Sequence, residues 1–132
     1  MKPYVFLDVE GYVTRSGSGL TLPEGAIAAP DGVTPAAALQ LRQAEGSLVL
    51  RPTLIAPEIT VFEGSGQAVT FVDLPDGTVA IIEDALIGQE LAVVATAKGV
   101  IVIELIDPGC YRIEVTAPRP YLPLVLNLEI AA

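Results

Sequence analysis

The chain has no histidine and no tryptophan, one cysteine, Cys110, and only seven lysines and arginines in 132 residues. Without histidine there is no His-dependent triad, no His general base and no His metal ligand. A single cysteine makes neither an intrachain disulfide nor a Cys-rich zinc site, so a secreted, disulfide-stapled domain is not expected. Sixteen acids leave a formal net charge of −9. That balance argues against sequence-independent nucleic-acid binding, which needs cations to release counterions, and against docking on anionic lipid. The acid is unevenly placed, with five acids to four bases over residues 1–57 and eleven to three over 58–132. Long apolar runs are missing too. "MKPYVFLDVEGYV" has Pro3 and acids where a signal peptide would be apolar. "LIGQELAVVATAKGVIVIELI" is broken by Gln89, Glu90, Lys98 and Gly99 before it reaches the roughly 20 residues of a membrane span. A soluble protein made in the cytoplasm is expected.

What is present is aliphatic and β-prone. Apolar residues make up 52% and aromatics 5%, so the core must be aliphatic. Val, Ile and Thr favour strands, and 12 glycines with 11 prolines supply turns. "YVFLDVEGYVTR" reads as a hairpin around Asp8-Val9-Glu10-Gly11. "SGSGLTLPEG" reads as a flexible loop or linker, and "AIAAPDG" as a short extended piece closed by a turn. "TPAAALQLRQAEG" reads as a helix, with Thr34 as N-cap, Pro35 at its first position and Gly46 as its stop. "SLVLRP" returns as a strand, and "TLIAP" crosses into the second half.

From Glu58 onward, seven short apolar runs are spaced by Gly64-Ser65-Gly66, Pro75-Asp76-Gly77, Glu83-Asp84, Lys98-Gly99, Asp107-Pro108-Gly109 and Pro118. That spacing predicts an antiparallel sandwich or barrel-like domain. In "CYRIEVTA" the alternation sends Tyr111, Ile113, Val115 and Ala117 to the core. Leu124, Leu126, Leu128 and Ile130 share one face of the last strand. "VIVIELI" is apolar on both faces. Either it is a central strand covered on both sides, or the N-terminal region or another subunit hides its outer face. The reading is mainly β: a hairpin-plus-helix region over 1–57 and a β-sandwich over 58–132.

No constellation points firmly to chemistry. Asp73, Asp76, Glu83 and Asp84 offer hard oxygen ligands for calcium, yet the spacing fits no EF-hand loop and Asp-Gly is an ordinary hairpin turn. Glu83 and Asp107 are a carboxylate pair of the kind a glycosidase uses, but so acidic a chain holds many such pairs. Cys110 shares its face with Arg112 and Glu114 and reads as a partly buried thiol. Ser16, Ser18 and Ser65 lie in Gly-rich stretches without a nucleophile elbow, and "EGSGQ" lacks the Lys-Ser/Thr of a phosphate loop. No cofactor is expected. Arg119 and Tyr121, in a proline-rich bend, are either an exposed contact or a lid over the sandwich end. Tyr4, Phe6 and Tyr12 give the N-terminal hairpin an aromatic surface that needs something to pack on.

Three stretches taken together, "YVFLDVEGYVTRSGSG", "PEGAIAAPDG" and "AEGSLVLRP", resemble the N-terminal layout of small phage and prophage tail proteins, including relatives of tail-fibre assembly proteins. The shared features fall at Tyr4, Asp8, Gly11, Val13, Pro23, Gly25, Gly46, Leu48, Val49, Arg51 and Pro52. "DPGCYRIEVTAPRPYLPLVLNLEI" is similar to the closing hairpin of small Ig-like β-domains appended to tail components. Longer tail-fibre assembly proteins carry more helix, so a chaperone role fits this chain less well than tail association. The resemblance implies a non-enzymatic structural or adaptor part made in a bacterial cytoplasm. It implies docking on other tail proteins or on another copy. By residue type, Tyr4, Phe6, Tyr12, Arg119 and Tyr121 are the interface candidates. It leaves open whether the protein stays in the virion. The alternative from the residues is an acidic β-sandwich module that binds a glycan or calcium.

Overall fold

The computed structural model describes residues 1–61 and 66–131. The chain forms two compact units, Met1–Arg51 and Pro52–Ala132. The division falls ahead of the expected break after Pro57, because Leu54 is buried in the second unit's core.

In the first unit, β1 (Lys2–Leu7) lies between β2 (Val13–Gly19) and β3 (Ile27–Ala28), all antiparallel. The expected hairpin is present. Asp8 Oδ1 accepts from the N–H groups of Glu10 (3.0 Å) and Tyr12 (2.9 Å), and Gly11 supplies φ +90°. The side chain thus holds the turn in the way short acidic residues do. "SGSG" is not a loop: it is the second half of β2, with Gly17 directly opposite Tyr4. Ser16 Oγ donates to the Pro35 carbonyl, which ties this strand to the segment beyond it.

The expected helix over 34–46 is corrected. Thr34 does cap, accepting from Ala37 N–H at 3.2 Å, and Pro35 does begin the helix, but α1 (Pro35–Ala38) is a single turn. The remainder is a hairpin, β4 (Leu41–Ala44) and β5 (Ser47–Leu50), turning at Glu45 (φ +51°) and Gly46 (φ +82°). Two consecutive positive φ values are the mirror-image turn that matches strand twist. Tertiary contacts decide the outcome. Leu41 and Leu48 pack on the small core of Val5, Val13, Ala29 and Ala38, and Gln43 N–H donates to Gly11 C=O at 2.7 Å. Helix propensity of a few tenths of a kcal/mol per residue is easily overridden by such packing.

All seven strands expected in the second half are present: β6 (Glu58–Val61), β7 (Gln67–Phe71), β8 (Val79–Asp84), β9 (Gln89–Ala95), β10 (Ile101–Leu105), β11 (Gly109–Thr116) and β12 (Leu124–Ile130). The Gly64-Ser65 turn expected between the first two, and Ser65 itself, lie outside the described residues. The strands form two antiparallel sheets, β10-β7-β6 and β9-β8-β11-β12. The sheets share one core: Val69, Phe71, Ile101, Ile103 and Leu105 from the first meet Ala80, Ile82, Ile113, Val115 and Ile130 from the second. It is aliphatic apart from Phe71, as the composition requires. Tyr111, Ala117, Leu124, Leu126 and Leu128 pack against it, so the alternation in β11 and β12 sorts their faces as expected. In constant-type immunoglobulin sandwiches the fourth strand joins the sheet of the first, second and fifth. Here the fourth, β9, pairs with the third, β8.

"VIVIELI" is not a central strand. Among the described residues β10 pairs only with β7, so it is an edge. Ile101, Ile103 and Leu105 enter the core while Val102 remains 52% exposed.

Candidate functional site

Two surfaces carry the residues singled out by the sequence, one on each unit. On the first unit, Tyr4 and Phe6 project from the same face of β1. Their rings meet edge to face at 5.8 Å, and the Arg15 guanidinium lies 4.2 Å above the Phe6 ring. Both rings are half-buried, and β2 makes room for Tyr4 with a glycine: a Cβ on Gly17 would come within 2.6 Å of Tyr4 Oη. Tyr12 stands apart from this pair, with Arg51 at 5.3 Å from its ring and Arg42 bridged to its backbone. The hairpin's aromatics are therefore two groups, each with a cation on a ring face, an attraction worth about 0.5–1 kcal/mol at exposed sites.

On the second unit, Arg119 and Tyr121 occupy the bend between β11 and β12, which contains a cis Arg119–Pro120 bond. Tyr121 packs against the sandwich core, and its N–H donates to Pro118 C=O at 3.3 Å. Its position is that of a lid. Arg119 is exposed.

The carboxylates considered for calcium are not brought together. Asp73 and Asp76 lie in the connection between β7 and β8, ahead of the six-residue strand β8, while Glu83 and Asp84 end that strand. The whole strand, rising about 3.4 Å per residue, runs between the first pair and the second. Among the described residues no group of three His, Cys, Asp or Glu is arranged to hold a metal ion. Glu83 and Glu114 face Arg112, at 3.9 Å and 3.0 Å. Asp107 lies instead in the β10–β11 turn, where its carbonyl accepts from Tyr111 Oη at 2.7 Å. Cys110 is half-buried on the outer face of β11, opposite Glu129.

The sequence reading passed over two features. The β8–β9 hairpin ends in an apolar tip, with Leu86 76% and Ile87 69% exposed. Between the edge strands β9 and β10 runs a groove of about 370 Å³, floored by Ile82, Val94, Ile103 and Tyr111 and rimmed by Leu91, Val102 and Ile106. A signal for both lay in "DALIGQELAVV", where apolar residues continue through a turn that is usually polar.

Known protein families, curated proteins and solved structures were compared with the chain, and none of them matches it. Among the described residues no helix is long and apolar enough to cross a membrane.

Proposed function

We propose that this protein is a non-enzymatic structural or adaptor component of a phage or prophage-derived tail, and that it works by protein–protein docking. The tail assignment is supported by the quoted N-terminal and C-terminal residue patterns. The docking mode is supported by one structural observation above others. Apolar side chains that a monomer would hide stand out on the β8–β9 hairpin, where Leu86, Ile87, Leu91 and Val93 are all at least half exposed. Exposed apolar residues grouped on one hairpin mark interaction sites more often than scattered single residues do. The Tyr4–Phe6 pair and Tyr12 supply aromatic anchors of the kind interfaces favour.

Sedimentation of the purified protein at increasing concentration tests this reading. It predicts association, weakened by Phe6→Ala or Tyr12→Ala. A strictly monomeric protein that ignores both substitutions and is encoded away from any tail genes would sink it. The glycan or calcium reading has less support, since its carboxylates lie before β8 and at its far end.

A further inference from the structure

We infer that the groove between β9 and β10 receives an extended, basic segment of another protein, which pairs by main-chain hydrogen bonds with one of these edges and plugs the groove with an apolar side chain. The inference rests on the docking reading for its biological setting and names the site and the chemistry of the partner.

The two lateral seams of the sandwich differ. One is filled by the chain itself. The extended segment Pro52–Pro57 leads into β6, and the Leu122 N–H just ahead of β12 donates to Pro52 C=O at 2.9 Å. This segment carries Leu54 into the shared core, where it is 7% exposed. The seam between β9 and β10 has no counterpart among the described residues. There β9 pairs only with β8 and β10 only with β7, so both present a row of unpaired backbone donors and acceptors. Between them lies the groove, with its apolar floor. Natural sheets usually protect such edges with lysine, proline or several charges. Here β9 bears one charge, Glu90, and β10 one, Glu104, and neither has a proline. An extended chain is the ligand that satisfies both the main-chain edge and an apolar slot, as in strand addition generally.

Charge selects the partner. The groove is lined by Glu104 and Asp107 and by no base. Arg112 is already held by Glu83 and Glu114, on the outer face of β8 and β11. From residue 58 on, the chain has eleven acids to three bases, so a second sandwich would bring like charge to the seam. A strand alternating apolar and basic residues complements both its lining and its rim.

The test uses the full chain labelled with ¹⁵N and a blocked peptide of alternating valine and lysine, long enough to run the length of β9. Binding should shift the amides of Leu91, Val102 and Ile106 and slow exchange at alternate amides of β9 or β10. A valine–glutamate peptide should not bind. Nor should the valine–lysine peptide with its central amides N-methylated, which keeps the charge but removes the donors. Leu91→Lys with Val102→Lys, both at exposed positions, should weaken binding by about tenfold or more, the loss of a modest anchor. Equal binding of the methylated peptide without protection of either edge would reduce the effect to diffuse electrostatics and overturn the proposal. So would an absence of shifts at millimolar peptide. Protection of β9 on concentrating the protein alone would assign the seam to a second copy and overturn it too. Phe6→Ala and Tyr12→Ala lie on the other unit and should leave peptide binding unchanged, so failure here and failure of the tail-docking reading are distinguishable.

Discussion

Tyr4 faces Gly17 directly across the β1–β2 pair, and its ring occupies the space where a side chain on Gly17 would stand. An aromatic laid over a strand glycine restores the cover that glycine lacks. The relationship makes the two positions interdependent. Gly17→Ala should displace the ring and destabilise the first unit by about 1–3 kcal/mol, as overpacking does. In a Tyr4→Ala background the same change should cost less than half as much. A double-mutant cycle from urea titrations measures the difference, and simple additivity would remove the ring from its assigned place.

The two units have separate buried clusters. Ile113 is fully buried at the centre of the larger one, and Ile113→Ala should cost the sandwich about 2–5 kcal/mol. Val5→Ala should do the corresponding damage to the first unit, about 1–3 kcal/mol. Residue-resolved amide exchange should show each lesion confined to its own unit. Equal loss of protection in both units from either substitution would mean that they unfold as one.

The Glu45-Gly46 turn predicts a sign. Asn-Gly is the preferred pair for a mirror-image two-residue turn, so Glu45→Asn should raise stability by about 0.5 kcal/mol. In a helix running to Gly46 the same change would lower it, because Asn is the poorer helix former. Thermal melting of this one variant separates the two structures.

Arg112 sits between Glu83 and Glu114, with its side chain about one-third exposed. Exposed pairs of this kind contribute about 0.2–1 kcal/mol each. Arg112→Gln should therefore cost about 1 kcal/mol or less, with the deficit shrinking in high salt as the remaining carboxylates are screened. A deficit that is large and salt-independent would point to lost packing by the arginine stem instead.

The seven strands of the sandwich were legible because their turns are local chemistry: Pro-Asp-Gly, Lys-Gly and Asp-Pro-Gly each end an alternating run. Lys98 (φ +54°) and Gly99 (φ +80°) form the same kind of turn as Glu45-Gly46, closed by the Ala97–Val100 bridge. The pair at 98–99 was readable because β-branched residues flank it. The pair at 45–46 was not, because Ala, Leu, Gln and Arg before it favour a helix in isolation. What overrode them is the packing of Leu41 and Leu48 on a core assembled from distant β1 and β2, which no local window contains. Likewise "SGSG" is a strand through its pairing with β1 and the cover of Tyr4, neither of which a local window contains. The aromatic positions of the candidate surface were visible as residues, but their cation partners Arg15 and Arg51 were not, since each depends on strand register. The groove was the least legible feature. It exists only because β9 and β10 both turned out to be edges.

The pairing of β7 with β10 joins Gln67 to Leu105 and Phe71 to Ile101, with the whole β8–β9 hairpin threaded between the partners. Local hairpins close in microseconds, whereas such distant partners must wait for the intervening chain to be gathered in. We predict that β10 is the last strand of its sheet to dock, steered by the tight Lys98-Gly99 reversal. In stopped-flow experiments Gly99→Ala should then speed unfolding more than it slows refolding. The reverse partition would place that turn before the barrier. Until β10 arrives, Val69 and Phe71 lack their neighbours, so during synthesis the sandwich is most vulnerable to misassociation at the strand that later forms one wall of its groove.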